Sequence, residues 1–182
     1  MTPLSLDDIL EAFDRLGDRL YGEDVSQREH ALQAAQQAAE DGASESLIAA
    51  ALLHDYAHLL EPESGGQPEA DARHEAVGAA LLKGLFGPEV SGPIALHVGA
   101  KRYLCAVEPG YLAGLSEASR RSLVLQGGAF SKAQAARFAA RPHAAAAIRL
   151  RRYDDLAKVV GAATPGLSSY IPMMVRLSAR IA

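Results

Sequence analysis

The chain has no tryptophan, a single cysteine and few aromatic residues of any kind, 5% of 182 residues. One cysteine, Cys105, excludes an internal disulfide, and the lack of further thiols argues against a soft-metal or structural zinc site. Cys105 is expected to be a buried small apolar residue. The N-terminal stretch MTPLSLDDILEAF carries acids where a secretory leader would carry bases. No apolar run is long enough to cross a bilayer. Both point to a cytoplasmic protein without membrane contact. Lys and Arg number 18 against 22 Asp and Glu, and no basic stripe interleaves with aromatics, so nucleic acid is not an expected partner. Repeats and low-complexity linkers are absent, and no segment of four to eight residues alternates as a strand would.

What is present is alanine and leucine, with little valine or isoleucine. That mix favours helix, because Ala and Leu lose little on entering one. The length suits one domain with a full hydrophobic core, so the expectation is a single all-α domain over residues 1–182. Ile9, Phe13, Leu16 and Leu20 recur three or four apart and predict a first helix. Ser26 with Glu29 is a capping box that starts a second, ending near Gly42. Ser44 caps a helix over 45–60. EPESGGQPEA reads as a loop. A helix then follows from about Asp71 to a stop at Gly87-Pro88, and another spans 90–104. SEASRRSLVLQGG is a short helix with a Gly-Gly stop, and Ser131 with Gln134 resembles another capping box. Pro142 opens a helix through about 160, and a last helix starts near 169.

Five of the six histidines, His30, His54, His58, His74 and His97, fall on four successive predicted helices. A lone histidine on an apolar face is ordinarily a hydrogen-bonded core residue. Five on neighbouring helices share a need for partners, which a metal site within a helix bundle meets. Imidazole with carboxylate suits Fe, Mn, Ni or Zn. Asp55 beside His54 has two oxygens and can bridge two ions, and His58 lies one turn beyond His54. Lys101 follows His97 by four residues, and Arg151 and Asp154 are three apart. Together Lys101 and Arg151 suggest an anionic, phosphoryl-type substrate. Arg149, Arg152 and Asp155 are expected on a solvated face with intrahelical pairs.

The order H…HD…H…H…D resembles the HD-domain superfamily of all-helical metalloproteins, mostly phosphohydrolases. The strings VSQREH, LLHDYAHLL, HVGAKRYL, LSEASRRSL, LQGG and RRYDDLAK resemble one branch more closely: the mixed-valent di-iron oxygenases of phosphonate breakdown. The resemblance covers about residues 20–160. It implies a single HD-domain helical bundle holding two iron ions, Fe(II) and Fe(III), with dioxygen as co-substrate. One iron would be held by His30, His54 and Asp154, the other by His74 and His97, and Asp55 would bridge them. Lys101, Arg151, Ser119, Gln126 and His58 would surround the phosphonate. Glu23 would face a substrate ammonium group, and Tyr21 would occupy the open iron before substrate arrives. There the chain departs from the family, with one residue fewer between the tyrosine and the Gly-Glu pair.

The implied reaction is oxidative cleavage of the carbon–phosphorus bond of (R)-1-hydroxy-2-aminoethylphosphonate or (R)-1-hydroxy-2-(trimethylammonio)ethylphosphonate, giving phosphate and glycine or glycine betaine. Asp55, His58, Lys101 and Arg151 would be the residues closest to the chemistry. The alternative is a metal-dependent phosphohydrolase on the same scaffold, acting on a phosphate ester or nucleotide without oxygen. A binding protein that keeps metal only for stability is disfavoured, because every ligand position of the motif is filled.

Overall fold

In the computed structural model, residues 3–20, 24–61 and 73–180 are described. Among them the structure is helical, and the one β-type pairing is an isolated bridge between Leu20 and Ser26. The first half holds α1 (Leu6–Leu16), α2 (Gln27–Glu40), α3 (Glu45–Leu53), α4 (Tyr56–Leu60) and α5 (His74–Phe86). The second holds α6 (Pro88–Val107), α7 (Tyr111–Gly114), α8 (Glu117–Leu125), α9 (Lys132–Ala139), α10 (Ala144–Leu156), a 3-10 turn at Leu167–Tyr170 and α11 (Ile171–Ser178). Among the described residues no helix is long and apolar enough to cross a membrane.

Local chemistry sets most boundaries. The side chains of Ser26 and Ser131 cap α2 and α9 in reciprocal capping boxes with Glu29 and Gln134. Gly87, at φ 72°, ends α5 and precedes Pro88, the first residue of α6. The Gly-Pro pair is therefore the hinge between two long helices rather than only a stop. Proline at that position forfeits no hydrogen bond, since the first amides of a helix have no intrahelical acceptor.

Three boundaries differ from expectation. The first helix stops at Leu16, where the Phe13 carbonyl accepts both the Gly17 N–H and, at 2.7 Å, the Arg28 guanidinium; Leu20 falls outside it, 74% exposed. The helix expected over 45–60 breaks at His54 and Asp55, where Asp55 adopts φ −105° and ψ 19° before α4 begins. The helix expected to reach residue 160 ends at Leu156, because the next carbonyl, that of Ala157, bonds a histidine instead of continuing the ladder.

α6 packs along α5 and α10, and α2 packs along α3 and α10, so these five long helices surround one interior. The main core includes Ile9, Phe13, Leu52, Leu53, Leu59, Leu82, Ile94, Leu150 and Met174. A smaller second core, Leu96, Ala100, Phe138, Ala144 and Ala147, seats α9 on α6 and α10. There a β-carbon at Gly99 would lie 2.9 Å from the Phe138 ring, so only glycine lets the two helices approach this closely.

Candidate metal centre

Four helices and the α3–α4 break bring six polar side chains into the interior. His30 comes from α2, His54 and Asp55 from the break, His74 from the first residue of α5, His97 from α6 and Asp154 from α10. All six are buried, His30 and His54 to 1% exposure. They form two groups in which donor atoms lie within 4.8 Å of one another: His30, His54 and Asp154; and Asp55, His74 and His97. The Asp55 carboxylate lies between them. Its Oδ2 is 3.4 Å from His54 Nε2 and 3.8 Å from His30 Nε2. Its Oδ1 is 3.4 Å from His74 Nε2 and 3.6 Å from His97 Nε2. The helix break at Asp55 is what lets its carboxylate reach both pairs.

The imidazoles fit a cation. His30 donates from Nδ1 to the Ala157 carbonyl, His54 to that of Ala51 and His97 to that of Ile94, each at 2.8 Å. A carbonyl only accepts, so each Nδ1 carries a proton and each ring turns its Nε2 inward. Burial, and next the neighbouring His54, push the His30 pKa down to about 4. Burial and His74 hold His97 well below the usual imidazole range. His30 and His54 thus face each other Nε2 to Nε2 at 3.1 Å. The Nε2 atoms converge as metal donors do, with the second nitrogen of each ring fixed by the backbone. Burial pushes the Asp55 carboxyl upward, but attraction to His54, His74, His58 and His97 outweighs it and leaves the group well below the ordinary carboxylate range. Two carboxylates among imidazoles are a hard-donor set for two divalent or trivalent ions.

Beside this centre lies a pocket of cations. Lys101 is 3% exposed and donates to Ser122 Oγ at 2.7 Å. Burial, and next Arg151, bring its pKa down to about 8. Arg151, 4% exposed, spreads its donors over four partners: Nε to Tyr111, one terminal nitrogen to Asp154 Oδ2 at 2.7 Å, the other to Ser119 Oγ at 3.2 Å and to Asp155. The contact to Asp154 joins the pocket to the metal ligands. Lys158, just past α10, donates to Ser119 Oγ at 3.0 Å and Ser116 Oγ at 3.2 Å.

Comparison with known proteins agrees with this geometry. Residues 28–126 match the HD domain, a span holding five of the six candidate ligands: His30, His54, Asp55, His74 and His97. The chain is 47% identical over 165 residues to a hydroxymethylphosphonate dioxygenase of Gimesia maris, covering 89% of this chain and 82% of that protein. It is 40% identical over 169 residues to the glycine-betaine-forming [1-hydroxy-2-(trimethylamino)ethyl]phosphonate dioxygenase of Leisingera caerulea, covering 91% and 86%. An uncharacterized protein of Acanthamoeba polyphaga mimivirus is 34% identical, with 92% and 78% covered. The chain belongs to the HD domain family.

Other expected residues of the HD chain are placed as follows. Ser119 is buried under Arg151, and Gln126 closes α8 with a buried Oε1 that has no hydrogen-bond partner among the described residues. His58 stacks on His74, ring centroids 3.9 Å apart, and its Nδ1 lies 3.1 Å from Glu61 Oε2. Tyr21 and Glu23 lie outside the described residues. Asp155 makes the expected intrahelical pair, with Arg151 four residues before it, but its face is not a solvated one: it is half-buried and also accepts from the Tyr111 hydroxyl. Arg149 and Arg152 are on the surface as expected, but they pair with Asp41 and Glu108 of other segments rather than within α10. Tyr111, Ser122 and Lys158 are pocket residues that sequence reasoning passed over. Only the serine spacing of α8, 116, 119 and 122, offered a sign, since residues three apart share a helix face.

Proposed function

We propose that this chain is an iron-dependent oxygenase that cleaves the carbon–phosphorus bond of a small 1-hydroxyalkylphosphonate. The observation that carries the proposal is Asp55, its two oxygens divided between two histidine pairs beside a pocket of buried cations. The names of the two dioxygenase relatives support it. In this scheme His30, His54 and Asp154 would hold one iron, His74 and His97 would hold the second, and Asp55 would be shared by the mixed-valent Fe(II)/Fe(III) pair. Bound iron would supply Lewis-acid binding of substrate oxygens and the activation of dioxygen.

The protein's own groups supply position and charge. Lys101 and Arg151 neutralise the phosphonate oxygens, and Ser119 and Gln126 add hydrogen bonds that fix its rotation. Arg151, through its contact with Asp154, sets the distance between the phosphonate and the metal ligands. His58, stacked on His74, is the remaining substrate contact in this scheme. In the net reaction one hydroxyphosphonate and one dioxygen give a carboxylate, inorganic phosphate and a proton. Both oxygen atoms are accounted for, one in each product. Glu23 serves as counter-ion to an ammonium group on the second carbon, which keeps 1-hydroxy-2-aminoethylphosphonate and its trimethylammonio analogue as substrates. Hydroxymethylphosphonate, yielding formate, joins them on the strength of the Gimesia relative's name. Tyr21 is assigned to the open metal position before substrate binds, and the enzyme to the cytoplasm.

The test is to load the protein with iron under argon, reduce it partially, and supply each of the three hydroxyphosphonates with and without oxygen. Phosphate should appear only with oxygen, and the half-reduced protein should show a low-temperature EPR signal that shifts on substrate binding. Equal phosphate release without oxygen overturns the proposal and favours hydrolysis on the same scaffold.

A further inference from the structure

Gln33 is a buried, uncharged side chain, 5% exposed, one turn after His30 on α2. Its amide makes a two-point bond to the main chain of Val159: Nε2 donates to the Val159 carbonyl at 2.9 Å, and the Val159 N–H donates to Oε1 at 3.0 Å. Two residues earlier, the Ala157 carbonyl accepts from His30 Nδ1. The residue between these fixed points is Lys158. Its α-carbon is therefore pinned from both sides by α2, the helix that also carries a metal-ligand candidate.

A lysine just past the end of a helix ordinarily turns back to the helix's own last carbonyls. Lys158 instead reaches across to α8, to Ser119 Oγ and Ser116 Oγ. Ser119 is buried and already accepts from Arg151. Two cations meeting on one hydroxyl leave it an acceptor for both, and each cation gains more from a charged acceptor than from a neutral one. The Lys158 charge also reaches the rest of the site: after burial and Arg151, it is among the groups that act on Lys101, and it bears on Asp154 as well. An oxyanion brought to Ser119 would meet Arg151 and Lys158 together.

We infer that Lys158 is a third phosphonate-binding cation of this site and that Gln33 is the positioning residue that aims it. The inference rests on the function proposed above and extends it: the pocket is built for a dianionic tetrahedral head group, with Lys158 contacting oxygens that Lys101 and Arg151 leave uncovered. Gln33 ties the anion pocket to the metal side, since one short stretch of backbone serves both His30 and Lys158.

The experiment measures binding of inorganic phosphate to the metal-loaded protein under argon by calorimetry. Lys158→Gln keeps a donor of similar reach but removes the charge; it should weaken phosphate binding by about 10- to 100-fold, as loss of a charged hydrogen bond does. Lys158→Arg should restore most of the affinity, and both variants should keep wild-type metal content and melting temperature. Gln33→Leu leaves every cation present and should weaken phosphate binding severalfold through misplacement, raising the KM for the phosphonate more than it lowers kcat. Phosphate binding to Lys158→Gln within about twofold of wild type would overturn the assignment of Lys158. Unchanged binding in Gln33→Leu would overturn the positioning role. Neither result depends on turnover, so the inference stands or falls separately from the oxygen requirement.

Discussion

The two halves of the site are held in different ways. In the metal half, three imidazoles are each anchored at 2.8 Å to a main-chain carbonyl, and the helices that carry them pack into the main core. In the anion half, Lys101, Arg151 and Lys158 are held mostly by other side chains, the serines of α8, Tyr111 and two aspartates. α8 itself contributes little to the large core, and α9 beside it rests on the small one. Backbone anchors leave a ring few torsions to vary, whereas contacts between long side chains leave many. The metal half is thus fixed in advance, and the anion half can adjust when charge arrives. Asp154, facing His30 on one side and bonded to Arg151 on the other, is the joint between them.

The largest effect should come from breaking the fixed half at its centre. Asp55→Ala removes the carboxylate shared by both histidine pairs. It should leave at most one metal per chain by elemental analysis and reduce phosphate formation well beyond the roughly 100-fold typical of outer-shell changes. Two metals retained per chain would contradict the bridging role.

A paired truncation should separate the cores that support the halves. Leu53→Ala, in the large core beside the histidine-aspartate doublet, and Phe138→Ala, in the small core, should each cost about 3 kcal/mol in denaturant unfolding. Metal affinity should fall only in Leu53→Ala, while phosphate affinity should fall in Phe138→Ala. Equal loss of both properties in the two variants would mean that the halves are not mechanically distinct.

The smallest effect concerns the charge of the adaptable half. Burial, reinforced by Arg151, brings the Lys101 pKa down to about 8, so its ammonium is present below that pH and lost above it. Binding of sulfate, whose own charge does not change here, should weaken by up to about tenfold between pH 7 and 9 in the metal-free protein. Lys101→Arg should flatten that profile, because a guanidinium stays charged throughout.

The residues that the sequence made legible belong mainly to the fixed half. His30, His54, Asp55, His74 and His97 stood out because imidazoles and a carboxylate on apolar helices need partners, and the capping serines at 26, 44 and 131 marked where helices begin. The residues passed over belong to the adaptable half. Asp155 looked like one charge in a charged run, since its exposure depends on where Tyr111 and α7 come to rest. Gln33, and Lys158 at the end of RRYDDLAK, drew no role from the sequence, because their placement comes from a contact between α2 and the segment after α10, 126 residues apart in the chain.

What the sequence by itself determined is the chemistry available: an all-helical chain, a set of hard donors for two ions, and cations to receive an anion. These follow from residue type and short spacing, which act locally. The tertiary structure alone decided how those groups divide: the break that turns Asp55 toward both histidine pairs, the placing of Asp154 between His30 and Arg151 and of Asp155 between Arg151 and Tyr111, and the capture of Ala157 and Val159 by α2. Each of these depends on how helices cross, and a crossing is set by packing between segments far apart in the chain, which no local spacing encodes.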